Sequence, residues 1–437
     1  MFKKTAKNAG ILFTANIISK ALNFLYVVYL ARYLGAGGFG IISFALAFTL
    51  ILGVFADLGL QSLSLREISR SKNEADRYFS NIAFIKIILG IIIFFLLVIA
   101  VKFLDYSRNI AGVVYLIGLS IIISSFNNFI YAAVYQARED VKYMGIGNIL
   151  NSLSMLAGIS AAAYFKSGII IFSGVFLLSA IIVLLYNLVV ISYKFFKPKL
   201  ASDLKFWKKL IKDAVPFGLV NVFVIIYFKI DSVMLGTMKT QKIVGYYNAS
   251  YRIIDVFTAL VPSIIFAVIY PKMSAYIELP EKLKSVYIVS FKISLIAGLI
   301  ISVITVFFAR YFVLFIYGRG YYNGVDSLKI LVWAFFLICV SSITSGLISS
   351  INRQKLVTVV AGFGAVINIC LNFILIPRFS LNGAAFATVI TELLMFLIYF
   401  IMTVRFLKFN WRDILSLFDF NFSKNGINIK EIIRHER

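Results

Sequence analysis

The chain has 437 residues, of which 61% are hydrophobic and only 14% charged, with a mean hydropathy of +0.94. Soluble domains average about 45–50% apolar and about 25% charged residues, so a soluble α/β enzyme is excluded. A formal net charge of +24 would suit nucleic acid, but the basic residues are placed as in a bilayer protein, and no nucleic-acid partner is expected.

Twelve apolar runs follow one another near 11–31, 39–60, 82–104, 110–135, 144–165, 168–193, 214–237, 244–270, 287–309, 328–350, 356–376 and 380–404. A run of about 20 apolar residues crosses a hydrocarbon core as a helix, which bonds its own backbone. The expected fold is therefore all-α, with about twelve transmembrane helices. Lys3, Lys4 and Lys7 precede the first run, which carries Lys20 and lacks an obvious small-residue cleavage site. It reads as a retained span rather than a signal peptide. The segments on its N-terminal side of the membrane carry 28 of the 43 Lys and Arg, so both termini are expected in the cytoplasm.

The longest interruption, 194–213, contains Lys194, Lys197, Lys199, Lys205, Lys208, Lys209 and Lys212, with Phe206 and Trp207 interleaved. It reads either as a cytoplasmic linker lying on anionic headgroups or as a partner site. It divides the chain into an N-terminal lobe 1–193 and a C-terminal lobe 214–404, followed by a basic tail 405–437. Leu30–Gly35 and Asp231–Gly236 each end the first span of a lobe, and Gly40–Ala45 and Gly245–Ser250 open the next. This weak repeat predicts parallel halves that rock about a midplane cavity. Gly35-Ala-Gly-Gly-Phe-Gly40 matches a dinucleotide fingerprint, with Asp57 at a mimicking distance. Apolar helices flank it where a strand is required, so it is expected to be a flexible turn. Cys339 and Cys370 lie within spans and say nothing of disulfides. A lone His435 argues against a histidine-based metal site, and no cofactor is indicated.

Polar residues recur at helical spacing: Asn16, Lys20 and Asn23; Ser124, Asn128, Tyr131 and Tyr135; Asn248, Arg252 and Asp255; Asn368 and Asn372. Lipid cannot satisfy such groups, so these stripes should face other helices or water. They are either interhelical glue or the lining of a wet cavity. Lys20 lies near mid-bilayer by depth. Lys86 and Lys292 lie near the cytoplasmic edge and are expected to snorkel without a role, and Asp57 to be a surface group. Lys229, Asp231, Arg252 and Asp255 share a depth and form either a salt-bridged cluster or a site. Glu392 stands mid-span with no local partner, a candidate for proton or cation coupling or a simple hydrogen-bonding group. A cationic cavity suits an anionic, hydrophilic head that cannot cross hydrocarbon unaided. Lys20 and Arg252 could hold a diphosphate, as point charge and planar fork respectively.

The run Asn368-Ile-Cys-Leu-Asn372-Phe-Ile-Leu-Ile-Pro377, then Asn382-Gly-Ala-Ala-Phe-Ala-Thr388 through Glu392, resembles the end of polysaccharide flippases. These are the Wzx-type O-antigen and capsule-unit transporters of the multidrug/oligosaccharidyl-lipid/polysaccharide exporter superfamily. Leu34-Gly35 with Phe39-Gly40, Ala56-Asp-Leu-Gly59 before Arg66, Pro216-Phe-Gly218 before Asp231, and Gly245-Tyr-Tyr-Asn-Ala249 extend the resemblance over essentially the whole chain. It implies two six-helix lobes, a cationic cavity and export of polyprenyl-diphosphate-linked sugar units across the bacterial inner membrane. By this resemblance Lys20 and Arg252 match positions where such cavities carry cations and are expected to bind substrate, together with Asn16, Asn23 and Asn248 from the same polar stripes. Glu392, Asp231 and Asp255 are expected at ion coupling, with Asp231 matching the family's seventh-helix acid. Membrane lipid, a polysaccharide polymerase and chain-length proteins are the implied partners.

Three other readings remain open. A multidrug-type cation antiporter shares the fold but favours carboxylates. A membrane polysaccharide polymerase or glycosyltransferase needs a long external loop, whereas the external connections here are short. A scaffold without transport leaves intramembrane charges without purpose.

Overall fold

The structure is a computed structural model that describes residues 2–71, 74–197 and 202–419. Lys199 of the basic segment and His435 of the tail lie outside the described residues. Among those described, ten helices are long and apolar enough to cross a membrane, and no strand occurs. Two of the ten are too long for one crossing. α1 (Phe2–Gly53) has 52 residues and α11 (Gln354–Phe406) has 53. At about 1.5 Å per residue each would measure roughly 80 Å if straight, against a hydrocarbon core of about 30 Å.

Each of these long helices is broken once. The breaks are at Gly35 (φ 64°, ψ 179°) and Ser380 (φ 54°, ψ −131°). The arms of α11 fold back on each other: Gly364 lies against the Met395 side chain, and the Tyr399 hydroxyl donates to the Val357 carbonyl at 3.3 Å. In α1 the first arm runs beside α5 (Lys142–Tyr164), with Ser152 Oγ donating to the Ser19 carbonyl at 3.2 Å. Its second arm runs beside α4 (Arg108–Ile130), where Gly118 meets Thr49 and Gly53 meets Ile121. α4 runs parallel to α6 (Ile169–Lys194) and α5 antiparallel to it, because Asn127 and Tyr135 reach Ala180 and Asn187 while Ser154 and Tyr143 reach Ser179 and Tyr186. The two arms of α1 are therefore antiparallel as well, and the twelve expected spans are present as ten helices, two of them doubled.

The remaining long helices are α3 (Ala75–Phe103), α7 (Leu204–Met238), α8 (Gln241–Ala275), α9 (Pro280–Tyr317) and α10 (Val325–Ser350). Two short helices, α2 (Leu60–Arg70) and α12 (Trp411–Ser416), are additional to the hydropathy pattern. Contacts divide the chain into two compact units, Met1–Gly245 and Tyr246–Arg437.

In the first unit a core cluster joins Leu60 and Ile68 of α2 to Phe79, Phe129, Tyr135, Phe206 and Leu210. Inside a bilayer helix association depends on close packing rather than on expulsion of water, and glycine sets the distances here. A Cβ on Gly40 would overlap the Gln241 carbonyl, and one on Gly245 would overlap that of Ala36. The Gly35–Gly40 run is thus a turn between spans, as expected, made by one kink at Gly35 and followed by a tightly packed helix. Gly59 adopts φ +83°, a backbone that L side chains resist, and packs on the Ala214 carbonyl and the Gly218 amide. In the second unit the core joins Met273, Tyr287, Phe291, Ile343 and Leu347 to Leu417, just beyond α12.

Candidate functional site

The first arm of α1 presents Asn16 and Lys20, both exposed. α5 answers with Asn148, whose Nδ2 stands 3.5 Å from Asn16 Oδ1. Asn23 Nδ2 donates to the Tyr26 hydroxyl at 2.9 Å. The expected stripe is thus a real polar face, and α5 brings Asn148 and Ser152 to it. Asp231 on α7 is 3% exposed in the same unit.

In the second unit Asn248, Arg252 and Asp255 follow along α8, all half-buried. Arg252 Nη1 lies 3.7 Å from Asp255 Oδ2, with side chains 35% and 39% exposed. That separation exceeds a charge-assisted hydrogen bond. Tyr317 of α9 is near enough to feel both charges.

The α11 hairpin supplies a second polar group of residues. Gly364 faces Met395 and Gly383 faces Leu375, so the register sets Asn368 near Thr391, one residue from Glu392, and Asn372 near Ala387, one residue from Thr388. Asn368, Asn372, Thr388, Thr391 and Glu392 are all buried. Asn372 Nδ2 donates to Asn368 Oδ1 at 2.8 Å. The Tyr247 and Thr388 hydroxyls share a hydrogen bond at 3.3 Å, tying α8 to this cluster. Glu392, expected to have no local partner, is buried but not free. Tyr399, two turns further on, lies within its field.

Three charged groups differ from expectation. Lys86 does not snorkel: its side chain is 2% exposed and Nζ donates to Asp57 Oδ1 at 2.6 Å, Ser125 Oγ at 2.9 Å and the Ala56 carbonyl at 3.5 Å. Asp57, expected at the surface, is its partner, with 14% of its side chain exposed. Lys292 is fully buried rather than reaching for headgroups. Depth along one helix cannot reveal such burial, because the partner of Lys86 stands 29 positions away in sequence.

In the fourth-span stripe Tyr131 and Tyr135 are buried, and only the asparagine position differs from expectation. Asn127 is buried and Asn128 exposed. Asn127 Nδ2 donates to the Ala180 carbonyl and Asn187 Nδ2 to Asn127 Oδ1, both at 3.1 Å. Tyr135 donates to Asn187 Oδ1 at the same distance. This closed relay is interhelical glue. A π-helical turn, Tyr131–Gln136, carries Tyr135 into it. Among the described residues no group of three or more His, Cys, Asp and Glu could hold a metal.

Residues 5–277 match the family model described as polysaccharide biosynthesis protein, and residues 216–374 match that of MatE. An Escherichia coli (strain K12) protein named as an O-antigen transporter is 25% identical over 84% of this chain and 88% of its own length. A Haloferax volcanii protein named as a low-salt glycan biosynthesis flippase is 24% identical over 88% of this chain and 80% of its own. Among solved structures, the lipid II flippase MurJ in an inward closed conformation superposes with a TM-score of 0.74 at 18% identity, covering 97% of this chain and 96% of its own. An inward-facing multidrug resistance MATE family transporter of the MOP superfamily gives 0.73 at 14%, covering 89% and 94%. The fold is that of these transporters, the protein is a multi-pass membrane protein, and the chain belongs to the polysaccharide biosynthesis protein family.

Proposed function

We propose that this protein is a flippase that moves polyprenyl-diphosphate-linked oligosaccharide repeat units from the cytoplasmic to the outer face of a bacterial inner membrane. The six spans of 1–193 and the six of 214–404 act as alternating-access lobes joined by the basic linker 194–213, with both termini cytoplasmic. The observation that carries this reading is the accessibility of two cations on spans, Lys20 exposed and Arg252 35% exposed, in a chain of a polysaccharide biosynthesis family. Lys20, as a point charge, and Arg252, as a planar fork, are each suited to a phosphate of the substrate. Asn16, Asn23 and Asn248 supply hydrogen bonds to the head. Asp231, Asp255 and Glu392 serve gradient coupling. A polymerase and chain-length proteins would receive the exported units.

The relatives' names and the polysaccharide biosynthesis family match favour this reading over a multidrug antiporter or a polymerase. Lipid mass spectrometry on cells depleted of the protein tests it. A complete repeat unit trapped on the cytoplasmic face is expected. Units accumulating outside and unpolymerised would point to the polymerase. No accumulation, in cells that make such units, would favour the small-molecule exporter. Glu392→Gln should abolish gradient-driven export, and unchanged ion dependence would remove Glu392 from the coupling role.

A further inference from the structure

The repeat between the halves of the chain extends to a pair of buried lysines. With Gly40 aligned to Gly245, Lys86 of α3 falls within one residue of Lys292 of α9. Each stands about three turns into its helix, and the two residues are 4% and 0% exposed. The first unit seals its lysine from within, because Asp57, just beyond the second arm of α1, accepts from the ammonium. In the second unit Pro262 stands where the alignment puts Asp57, and past Asp255 the rest of α8 holds no Asp or Glu.

A carboxylate comes to Lys292 instead from the chain beyond α11. Phe409 packs edge-on against Tyr287 of α9, with ring centroids 5.9 Å apart, and Lys284 Nζ lies 5.3 Å from the centre of the Phe409 ring. Lys284 also pairs with Asp413 of α12, and Leu417 is buried in one cluster with Tyr287, Ile288 and Phe291. The segment is thereby seated along α9 up to the residue before Lys292. Asp419 follows Leu417 by two positions, and Lys292 lies within its field. The cluster that receives Leu417 also contains Met273 of α8 and Ile343 and Leu347 of α10, so one short segment is joined to three helices of the unit.

Little holds this segment besides those contacts. α12 has six residues and none of them is buried, and a helix so short does not persist in water by itself. Trp411 and Phe418 are exposed as well. Seating therefore depends on Phe409, Asp413, Leu417 and Asp419, and segments with so few buried contacts are the ones that open locally while the rest of a protein stays folded. A buried cation needs a counter-charge. The first unit has a fixed one and the second has one that can leave.

We infer that residues 410–419 are a detachable latch, which supplies the second unit from outside its spans with the carboxylate that the first unit carries within its own sequence of spans. Seated, the latch braces α8, α9 and α10 and neutralises Lys292. Released, it opens Lys284 and Lys292 of α9 to anionic groups from solution.

The test uses the full chain in nanodiscs, a small water-soluble amine reagent and mass spectrometry of each lysine. In the wild type Lys86 and Lys292 should both label far more slowly than the exposed Lys205. Leu417→Glu, which unseats the latch, should raise labelling of Lys292 about tenfold or more and leave Lys86 unchanged. Asp419→Asn, at an exposed position, removes only the counter-charge and should raise Lys292 in the same direction. Labelling of Lys292 as fast as Lys205 in the wild type, or unmoved in either variant, overturns the inference. If Lys86 rises together with Lys292 in Leu417→Glu, that variant has lost its fold and Asp419→Asn decides alone: a rise confined to Lys292 supports the latch, and no rise defeats it.

Discussion

Lys86 on α3 and Arg252 on α8 are both cations on membrane spans, yet their surroundings are opposite. Lys86 is sealed, with a carboxylate, a hydroxyl and a carbonyl on its three protons. Arg252 lies 3.7 Å from its carboxylate, with a third of its side chain exposed. A charge that has left water is retained only where acceptors replace the lost hydration, so Lys86 joins α3 to the chain beyond α1 and is a structural element. A charge that keeps access to its surroundings retains capacity for a ligand. Depth in the membrane does not separate the two kinds of cation; accessibility does.

The largest effect should come from breaking the sealed pair. Lys86→Met leaves Asp57 buried without its cation, and loss of one partner of a buried pair costs about 3–5 kcal/mol. Thermal unfolding in detergent should show a strongly destabilised protein. The double variant Lys86→Met, Asp57→Leu should recover most of the loss. A single variant that melts with the wild type would show that the pair is not structural.

Next in size is the Asn relay. Asn187→Leu deprives Asn127 Oδ1 of its donor and the Tyr135 hydroxyl of its acceptor, at a cost of about 1–3 kcal/mol. The same melting measurement applies, and export should persist in whatever fraction remains folded. Normal stability with lost export would turn the relay from glue into machinery.

The open cations should behave in the reverse way. Arg252→Ala and Lys20→Ala should each change stability by less than about 1 kcal/mol while impairing export of lipid-linked units. Protein abundance measured beside export separates the cases. Loss of abundance would place Arg252 and Asp255 with Lys86 and Asp57, and would erase the contrast between the two regions.

How much of this was legible in the sequence follows the same physics. The spans were, because a run of about 20 apolar residues needs no tertiary information to be read. Both doublings could be placed as well, at Gly35 and near Pro377. The faces of the helices were not. In a helix apolar all round, nothing local tells Asn127 from Asn128, although adjacent residues point about 100° apart; only Asn187 on α6 makes the choice. α2 was hidden because its signal is amphipathic rather than hydrophobic. Leu60, Leu63 and Ile68 are buried while Arg66 and Arg70 face outwards, and a search for spans passes over such a segment. Of the site, the Asn16, Lys20 and Arg252 positions were readable as polar residues where lipid should be. The cluster around Glu392 needed the hairpin register.

The smallest effect lies outside the spans, where the chain beyond α11 docks on α9. Asn410 and Asp413 cap α12 reciprocally, Lys284 of α9 pairs with Asp413, and Leu417 is buried in the core. Burial alone would raise the Asp413 carboxyl, but the bonds from Lys284 and from the Asn410 amide prevail and hold it below the usual carboxylate value. A carboxyl depressed in the docked state stabilises docking above its free pKa of about 3.9 and loses that contribution only as pH falls through the lower, docked value. The segment should therefore stay seated from neutral pH to about pH 4 and loosen only in stronger acid. The first unit offers the parallel case. The Phe206 amide and then the Arg77 guanidinium hold the Asp203 carboxyl below its usual range at the start of α7. An environment-sensitive dye on Leu415→Cys, in a Cys370→Ala background, would follow release during acid titration. Lys284→Met should move the release upward in pH, towards the free carboxylate value. A midpoint that is unchanged in Lys284→Met would mean that Leu417 and its apolar neighbours hold the segment without help from the ion pair.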